Sequence, residues 1–417
     1  GRFQLSAITG DGEGTSIPDD LIKVAKRPIA EWSKRDRSEV LDYRVKQDAR
    51  SSKLARDITK LKKQIQAVVP DTTLVMIELE KPRMSTVFER GDYQKPGEAV
   101  QPGTPSILHS MPESPRNRLD LARWLVSPQN PLVARVTVNR LWAELFGQGI
   151  VTTLEDFGVK GEPPSHPELL DWLAVEFVEK GWSTKQLLKT IVMSATYQQS
   201  SHLSEELLEK DDRNRLLARG PRFRMDAEMI RDNALAISGL LSLKQFGPPI
   251  RPYQPDGLWI KTGGTAYQYE VSPGSEQYRR GIYVVLKRGS PYPSFVNFDA
   301  TARLACTVRR SRTNTPLQAL TLLNDPVYVE AAKSLADRVL AEKKDELLDM
   351  QIDFAFQLCT ARKPTETERH VLADLYRSQL EEHAEQFPKS SREQAQSDAW
   401  RSVAAVLLNL HETITKN

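Results

Sequence analysis

Between Arg279 and Arg312 the chain carries eight basic residues (Arg279, Arg280, Lys287, Arg288, Arg303, Arg309, Arg310, Arg312) against one acid, Asp299, in 34 residues. Tyr283, Tyr292, Phe295 and Phe298 are interleaved with them. Guanidinium forks match sulfate and carboxylate groups bidentately, and aromatic faces add stacking surface. One reading therefore has Arg279, Arg280, Arg309, Arg310 and Arg312 holding anionic sugar substituents, with Asn314 as a hydrogen-bonding neighbour. The other reading is internal. Residues 341–417 carry 14 acids and 10 bases, so the same arginines could pair with carboxylates of the last helices. Charge counting leaves both open.

Proton-transfer chemistry has three candidates: Asp156, His166 and Asp299. His166 lies ten residues from Asp156 and about one turn before Asp171, and a histidine near a carboxylate can act as acid or base. The plainer alternative is that Ser165 caps a helix and His166 packs at its mouth. Asp156-Phe157-Gly158 looks kinase-like, but no Gly-rich phosphate loop, VAIK lysine or HRD loop accompanies it. There the alternative is a turn whose Phe plugs the core and whose Asp bonds local backbone. Walker A, GxGxxG, GxSxG and HExxH patterns are missing, and no histidine pair has the helical spacing of a zinc site. The metal status stays unknown from sequence. Trp124, Trp142, Trp172 and Trp182 recur at core-like spacing, which favours packing over a sugar platform.

The elements that position these groups are mostly helical. Hydrophobic residues make up 39% of the 417-residue chain, enough for a real core. A net charge of +3 argues against a general nucleic-acid binder. Two cysteines, Cys306 and Cys359, permit at most one disulfide. No apolar run is long enough to span a membrane. Residues 1–10 alternate like a strand entered from its middle, which the resemblance given below implies is the last strand of a preceding sandwich, and with no apolar leader segment in view we expect a piece of a longer chain. Residues 11–70 read as a linker and a charged helix, with Leu54, Ile58, Leu61, Ile65 and Val68 forming a coiled-coil-like seam. A short strand at 74–79 and a Pro-rich connector follow to residue 115. Residues 116–247 form a helical subdomain and 248–300 a Pro/Gly/Tyr-rich β-containing segment, with its best strand at 281–286. Residues 301–417 form a C-terminal helical subdomain, its first helix interrupted near Asn324-Asp325-Pro326. The fold class is thus mainly α: a multi-helix body with a small β-containing insert and a projecting helix near 35–69.

Several longer segments carry a resemblance. They include Asn117-Arg118-Leu119-Asp120-Leu121-Ala122, Val138-Asn139-Arg140-Leu141-Trp142, Pro164-Ser165-His166-Pro167-Glu168-Leu169-Leu170 and Asn214-Arg215-Leu216-Leu217-Ala218-Arg219. Asp226-Ala227-Glu228-Met229-Ile230-Arg231-Asp232, Pro291-Tyr292-Pro293-Ser294-Phe295 and Arg309-Arg310-Ser311-Arg312-Thr313-Asn314-Thr315-Pro316-Leu317 continue the set. From about Pro70 onward the chain resembles the planctomycete-specific domain of unknown function at the C-terminal end of large exported proteins. Such proteins begin with a planctomycete-type cytochrome c domain and a second uncharacterised domain. Many also carry a concanavalin-like sugar-binding sandwich. The resemblance implies an extracytoplasmic location, periplasmic or cell-envelope, and haem c on a domain outside this chain. It implies the other domains of the same polypeptide as partners, and supplies no catalytic residues.

The expectation is a non-haem module of an exported, cytochrome-linked protein that binds or processes polysaccharide, with electrons leaving to that haem. The competing expectation is a non-enzymatic assembly domain that joins partners through the 35–69 helix.

Overall fold

Side-chain caps start several of the helices, among them α-helices at Lys34, Arg118, Thr184 and Glu366. In the computed structural model, residues 17–68, 72–81, 83–111, 117–255, 257–259 and 269–416 are described. The strand expected at residues 1–10 lies outside them. The chain divides into two compact units, Gly1–Gln101 and Pro102–Asn417.

In the first unit, α1 (Asp19–Ala25) precedes two charged helices. The helix expected over 35–69 is two helices. A Ser33/Asp36 capping box starts α2 (Lys34–Gln47), and the extended Asp48 ends it. The Asp48 side chain accepts from Ser51 N at 2.7 Å and starts α3 (Ala49–Ala67). Residues 74–79 are not a strand: they join no sheet, and Leu74, Val75, Met76 and Ile77 are exposed. The strand of this region lies within the Pro-rich stretch instead. There β2 (Pro96–Val100) pairs antiparallel with β1 (Ser85–Phe88).

The second unit begins with α4 (Arg118–Leu125), capped by an Asn117/Asp120 box, and α5 (Val133–Phe146). Pro167 sits in the first turn of α6 (Pro167–Glu179), and Ser183 caps α7 (Thr184–Val192). Val138, Trp142, Phe146, Leu170, Leu173, Phe177, Leu187 and Ile191 form one core between α5, α6 and α7. Trp172 faces outward and is 53% exposed, so it does not join Trp124 and Trp142 inside.

After α8 (Glu205–Lys210) and the two-residue β3 (Phe223–Arg224), α9 (Ala227–Ser238) enters a second, larger core. The 281–286 strand is absent. Gly281–Tyr283 is a 3₁₀ turn, followed by a lone parallel bridge from Val284 to Ile250. The reason is close packing: a Cβ on Gly281 would lie 2.9 Å from Glu228 Cβ, so the chain runs directly against α9. Gly281 N also donates to Asp232 Oδ1 at 2.6 Å.

The larger core is completed by α10 (Pro293–Asn297), α11 (Pro316–Asn324), α12 (Pro326–Glu342), α13 (Leu348–Thr360), α14 (Glu366–Gln386), α15 (Arg392–Asn409) and α16 (His411–Ile414). The interruption expected near Asp325-Pro326 is real: Asp325 ends α11 and its side chain caps α12 through Val327 N. Tyr328, Leu335, Phe356, Trp400, Val403 and Leu407 lie at the centre, each 2% exposed or less. The last strand, β4 (Thr415–Lys416), pairs antiparallel with β3. Among the described residues no helix is long and apolar enough to cross a membrane.

One buried side chain fixes the turn after α5. Asn139, fully buried, donates to Val151 O at 2.9 Å and accepts from Val151 N at 2.8 Å. Asn139→Ala leaves both backbone groups without that partner. We expect a loss of about 1–3 kcal/mol per orphaned group, read by chemical denaturation.

Candidate functional site

The three candidate proton-transfer groups are occupied locally. Asp156 Oδ1 accepts from Gly158 N at 2.7 Å, its carbonyl accepts from Thr153 Oγ1, and Phe157 packs against the α5–α7 core. His166 occupies the N-cap position of α6 without capping it, and its Nδ1 lies 3.0 Å from Ser165 Oγ. Ser165 does not cap that helix: its N–H and hydroxyl both donate to Ile150 O. Asp171 pairs with Arg135 at 2.6 Å. Among the described residues no hydrogen bond or ion pair joins His166 to Asp156 or Asp171. Asp299 accepts from Arg224 and from both the backbone and hydroxyl of Thr313, so it ties β3 to the segment entering α11.

The predicted ligand arginines separate into three situations. Arg279 is 1% exposed, lies 3.9 Å above the Tyr283 ring, and donates to the carbonyls of Lys244, Phe246 and Pro248. It is a clamp on that turn, with Glu276 at 3.6 Å as counter-charge. Arg310 donates two bonds to Glu228, at 2.6 and 3.1 Å, and Arg280 lies 3.7 Å from Asp232. These carboxylates belong to α9, not to the last helices. Arg312 lies 3.9 Å from Asp226, sits over the Phe223 ring and donates to Gly147 O. Arg309 and Asn314 are exposed.

Electrostatics follow this pairing. Burial opposes the charge on Glu228, but the fork of Arg310, a backbone N–H bond and the charge of Arg303 together hold the carboxyl below its usual range. The same fork raises Arg310. Burial lifts Asp232, against the opposing bond from Gly281 N.

A pocket of about 220 Å³ opens elsewhere, between the end of α5 and the 212–223 loop. Trp142, Phe146 and Phe223 supply apolar wall; Arg213, Arg215, Arg219, Arg222 and Asp212 supply charge. Its geometry is tightly set. Gly147 ends α5 in the left-handed region at φ 76°, where a Cβ would strike Phe223 at 2.6 Å. Asn214 and Leu217 also adopt left-handed φ values of 51° and 56°. Such backbone persists only where surrounding contacts hold it, and it clusters at functional sites. Here the contacts are visible. The Asp211 carboxylate accepts from the N–H groups of Arg215 and Leu216, Asn214 bonds both ways with Arg219, and Gln199 Nε2 donates to Leu217 O.

Within this rigid loop, Arg215 pairs with Glu162 at 3.0 Å and Arg219 donates to the Asp211 and Asp212 carbonyls. Arg213 and Arg222 are exposed and, among the described residues, make no hydrogen bond or ion pair. Two predicted residues touch the pocket wall: His166 through Ser165, and Arg312 through Gly147 and Phe223. The pocket arginines themselves escaped the sequence reading. Their signal was local density, five arginines and no acid in residues 213–224.

A family model matches residues 117–376, well over half of the chain, and thus spans the pocket, α9 and most of the larger core. Its description is PSD1, protein of unknown function (DUF1553). The chain belongs to this family. Both the PSD1 pocket loop and the α9 charge lock fall inside the matched region. No curated protein and no solved structure matches the chain. Among the described residues no group of three or more His, Cys, Asp or Glu side chains is placed to hold a metal ion. Cys306 is exposed, Cys359 is buried, and neither is bridged.

The pairing predicts a pH effect with a definite sign. Because Glu228 is depressed when folded, its contribution is present above the ordinary carboxyl value of 4.5 and fades as pH falls through the lower folded value. Glu228→Gln should cost about 1.5–3 kcal/mol at neutral pH. It should also shrink the acid-side slope of stability, measured by denaturation at stepped pH.

Proposed function

We propose that this PSD1 domain is a binding module for a small anionic group, a sulfated or carboxylated sugar residue, held at the 212–223 pocket. The observation carrying this reading is a pair of exposed guanidinium groups, Arg213 and Arg222, that make no hydrogen bond or close ion pair among the described residues, on a self-braced loop beside aromatic wall. Arginine forks suit sulfate and carboxylate, and Trp142, Phe146 and Phe223 give the site an apolar wall. The size agrees. At about 220 Å³ the pocket is smaller than the roughly 300–1,000 Å³ clefts that take drug-sized ligands, so it accepts one residue of a chain rather than several.

The proposal is for binding, with no proton-transfer step assigned to Asp156, His166 or Asp299. Their carboxylate and imidazole atoms already hold local partners. In the wider protein we place the module outside the cytoplasm, joined to a haem c domain that would receive electrons from sugar oxidation. That part rests on the resemblance of the motif segments alone.

Calorimetric titration with a sulfated monosaccharide and its neutral parent is the direct test. We expect binding of the sulfated sugar only, weakening with added salt. Arg213→Ala combined with Arg222→Ala should lower affinity at least about tenfold. Unchanged binding in that double variant removes the pocket assignment. Loss of binding in Arg309→Ala instead would move the site to the exposed 303–312 segment. For the full polypeptide, haem reduction on sugar addition reads the electron-transfer part.

A further inference from the structure

The α3 helix leaves a complete heptad seam in solvent. Leu54, Ile58, Leu61 and Ile65 follow at intervals of 4, 3 and 4, and are 55%, 52%, 56% and 71% exposed. The partner helix α2 does not cover them. The crevice between the two helices is lined by other positions of α3, among them Ser52, Ala55 and Thr59, facing Val45. Such a stripe, apolar at four successive d and a positions after Ser51 at the first a, is the surface that a second helix fills in a coiled coil.

The residues also say which helix. Ile58 and Ile65 fall at a, and Leu54 and Leu61 at d; β-branched a with leucine d favours a parallel pair of identical strands. The flanking charges agree. Asp57, the only acid of α3, occupies g, and Lys62 occupies the following e. In a parallel pair g of one strand meets e of the other five residues on, so Asp57 of each copy faces Lys62 of its partner. A partner helix rich in acid would suit the six basic residues of α3, but it gives no role to this Ile/Leu order.

We infer that the α3 seam is a parallel homodimerisation surface whose occupant is the α3 helix of a second copy. The inference is independent of the pocket reading. The seam covers about two heptads, short for a coiled coil, and α3 carries six bases against one acid. The dimer is therefore reversible, and it tightens as salt screens the like charge of the two helices.

Sedimentation equilibrium of the whole chain across the micromolar to near-millimolar range tests this at low and high salt. The expected result is a monomer–dimer equilibrium that moves toward dimer with salt. Ile58→Asp with Ile65→Asp should abolish the dimer. Because α3 buries no residue in a core, the variant's circular dichroism should keep its helical signal. Asp57→Lys should weaken association, and adding Lys62→Asp should restore it. On a Cys306→Ser background, which removes the exposed thiol, Leu61→Cys should form a disulfide-linked dimer under mild oxidant. A chain that stays monomeric throughout overturns the inference, and so does a dimer that survives the paired aspartates. A dimer that forms without the Leu61→Cys crosslink overturns the parallel register. Dimerisation that weakens with salt points to a different, oppositely charged contact and also overturns it.

Discussion

Two buried arginines hold an irregular stretch of backbone against a helical body, and much of the second unit depends on them. Among the described residues of 240–290 only isolated bridges form, Ser242 with Arg279 and Ile250 with Val284, so many of the remaining carbonyls need donors from elsewhere or stay unsatisfied. An orphaned buried carbonyl costs about 1–3 kcal/mol, and a guanidinium offers five donors in one rigid fork. Arg231, fully buried on α9, donates to the carbonyls of Gln277 and Arg279. Arg279 in turn donates to the carbonyls of Lys244, Phe246 and Pro248. The relay runs from helix to turn to turn. Asp232 at 3.8 Å from Arg231 and Glu276 at 3.6 Å from Arg279 keep the buried charges from being isolated.

This relay explains why the densest basic segment reads so ambiguously in one dimension. Arginine for a ligand and arginine for the chain's own carbonyls have the same composition. What separates them is whether the neighbouring backbone has ladder partners, and periodicity gives no hint of that between residues 250 and 290. Strand propensity at 281–286 was misleading for a related reason. Val284 and Val285 are good strand residues, but Gly281 must lie against Glu228, and the approach leaves room for only one bridge. By contrast, many helices start at chemical caps: the side chains of Ser183, Thr365, Ser391 and Asn117 each accept a first-turn N–H.

The acids of the last helices illustrate the limit of charge counting. Their surplus suggested partners for the 279–312 arginines, yet several of these acids pair with bases of the C-terminal helices themselves. Arg362 bridges Glu368 and Glu412, Arg369 bonds Asp353, and Arg338 bonds Glu342. The fork of Arg362 is strong enough to hold the Glu368 carboxyl down at about 2. The carboxylates that meet Arg310, Arg312 and Arg280 sit at the start and first turns of α9, some 50 to 80 residues upstream in sequence. Only the tertiary path of the chain decides which acid is near which base. The candidate pocket was hidden differently: its arginines were countable, but its walls come from α5 and β3, and no local pattern announces that meeting.

The 211–220 loop separates the residues that hold its shape from those it presents. Asp211, Asn214, Gln199 and the glycine at 220 brace the backbone, while Arg213 and, just beyond, Arg222 are exposed and make no hydrogen bond or close ion pair among the described residues. Substitution at the presented positions leaves the bracing intact. On the proposed binding role, such a loop can trade one ligand preference for another by single steps, without passing through a sequence that fails to fold. The framework that fixes the pocket thereby leaves the side chains it presents free to drift.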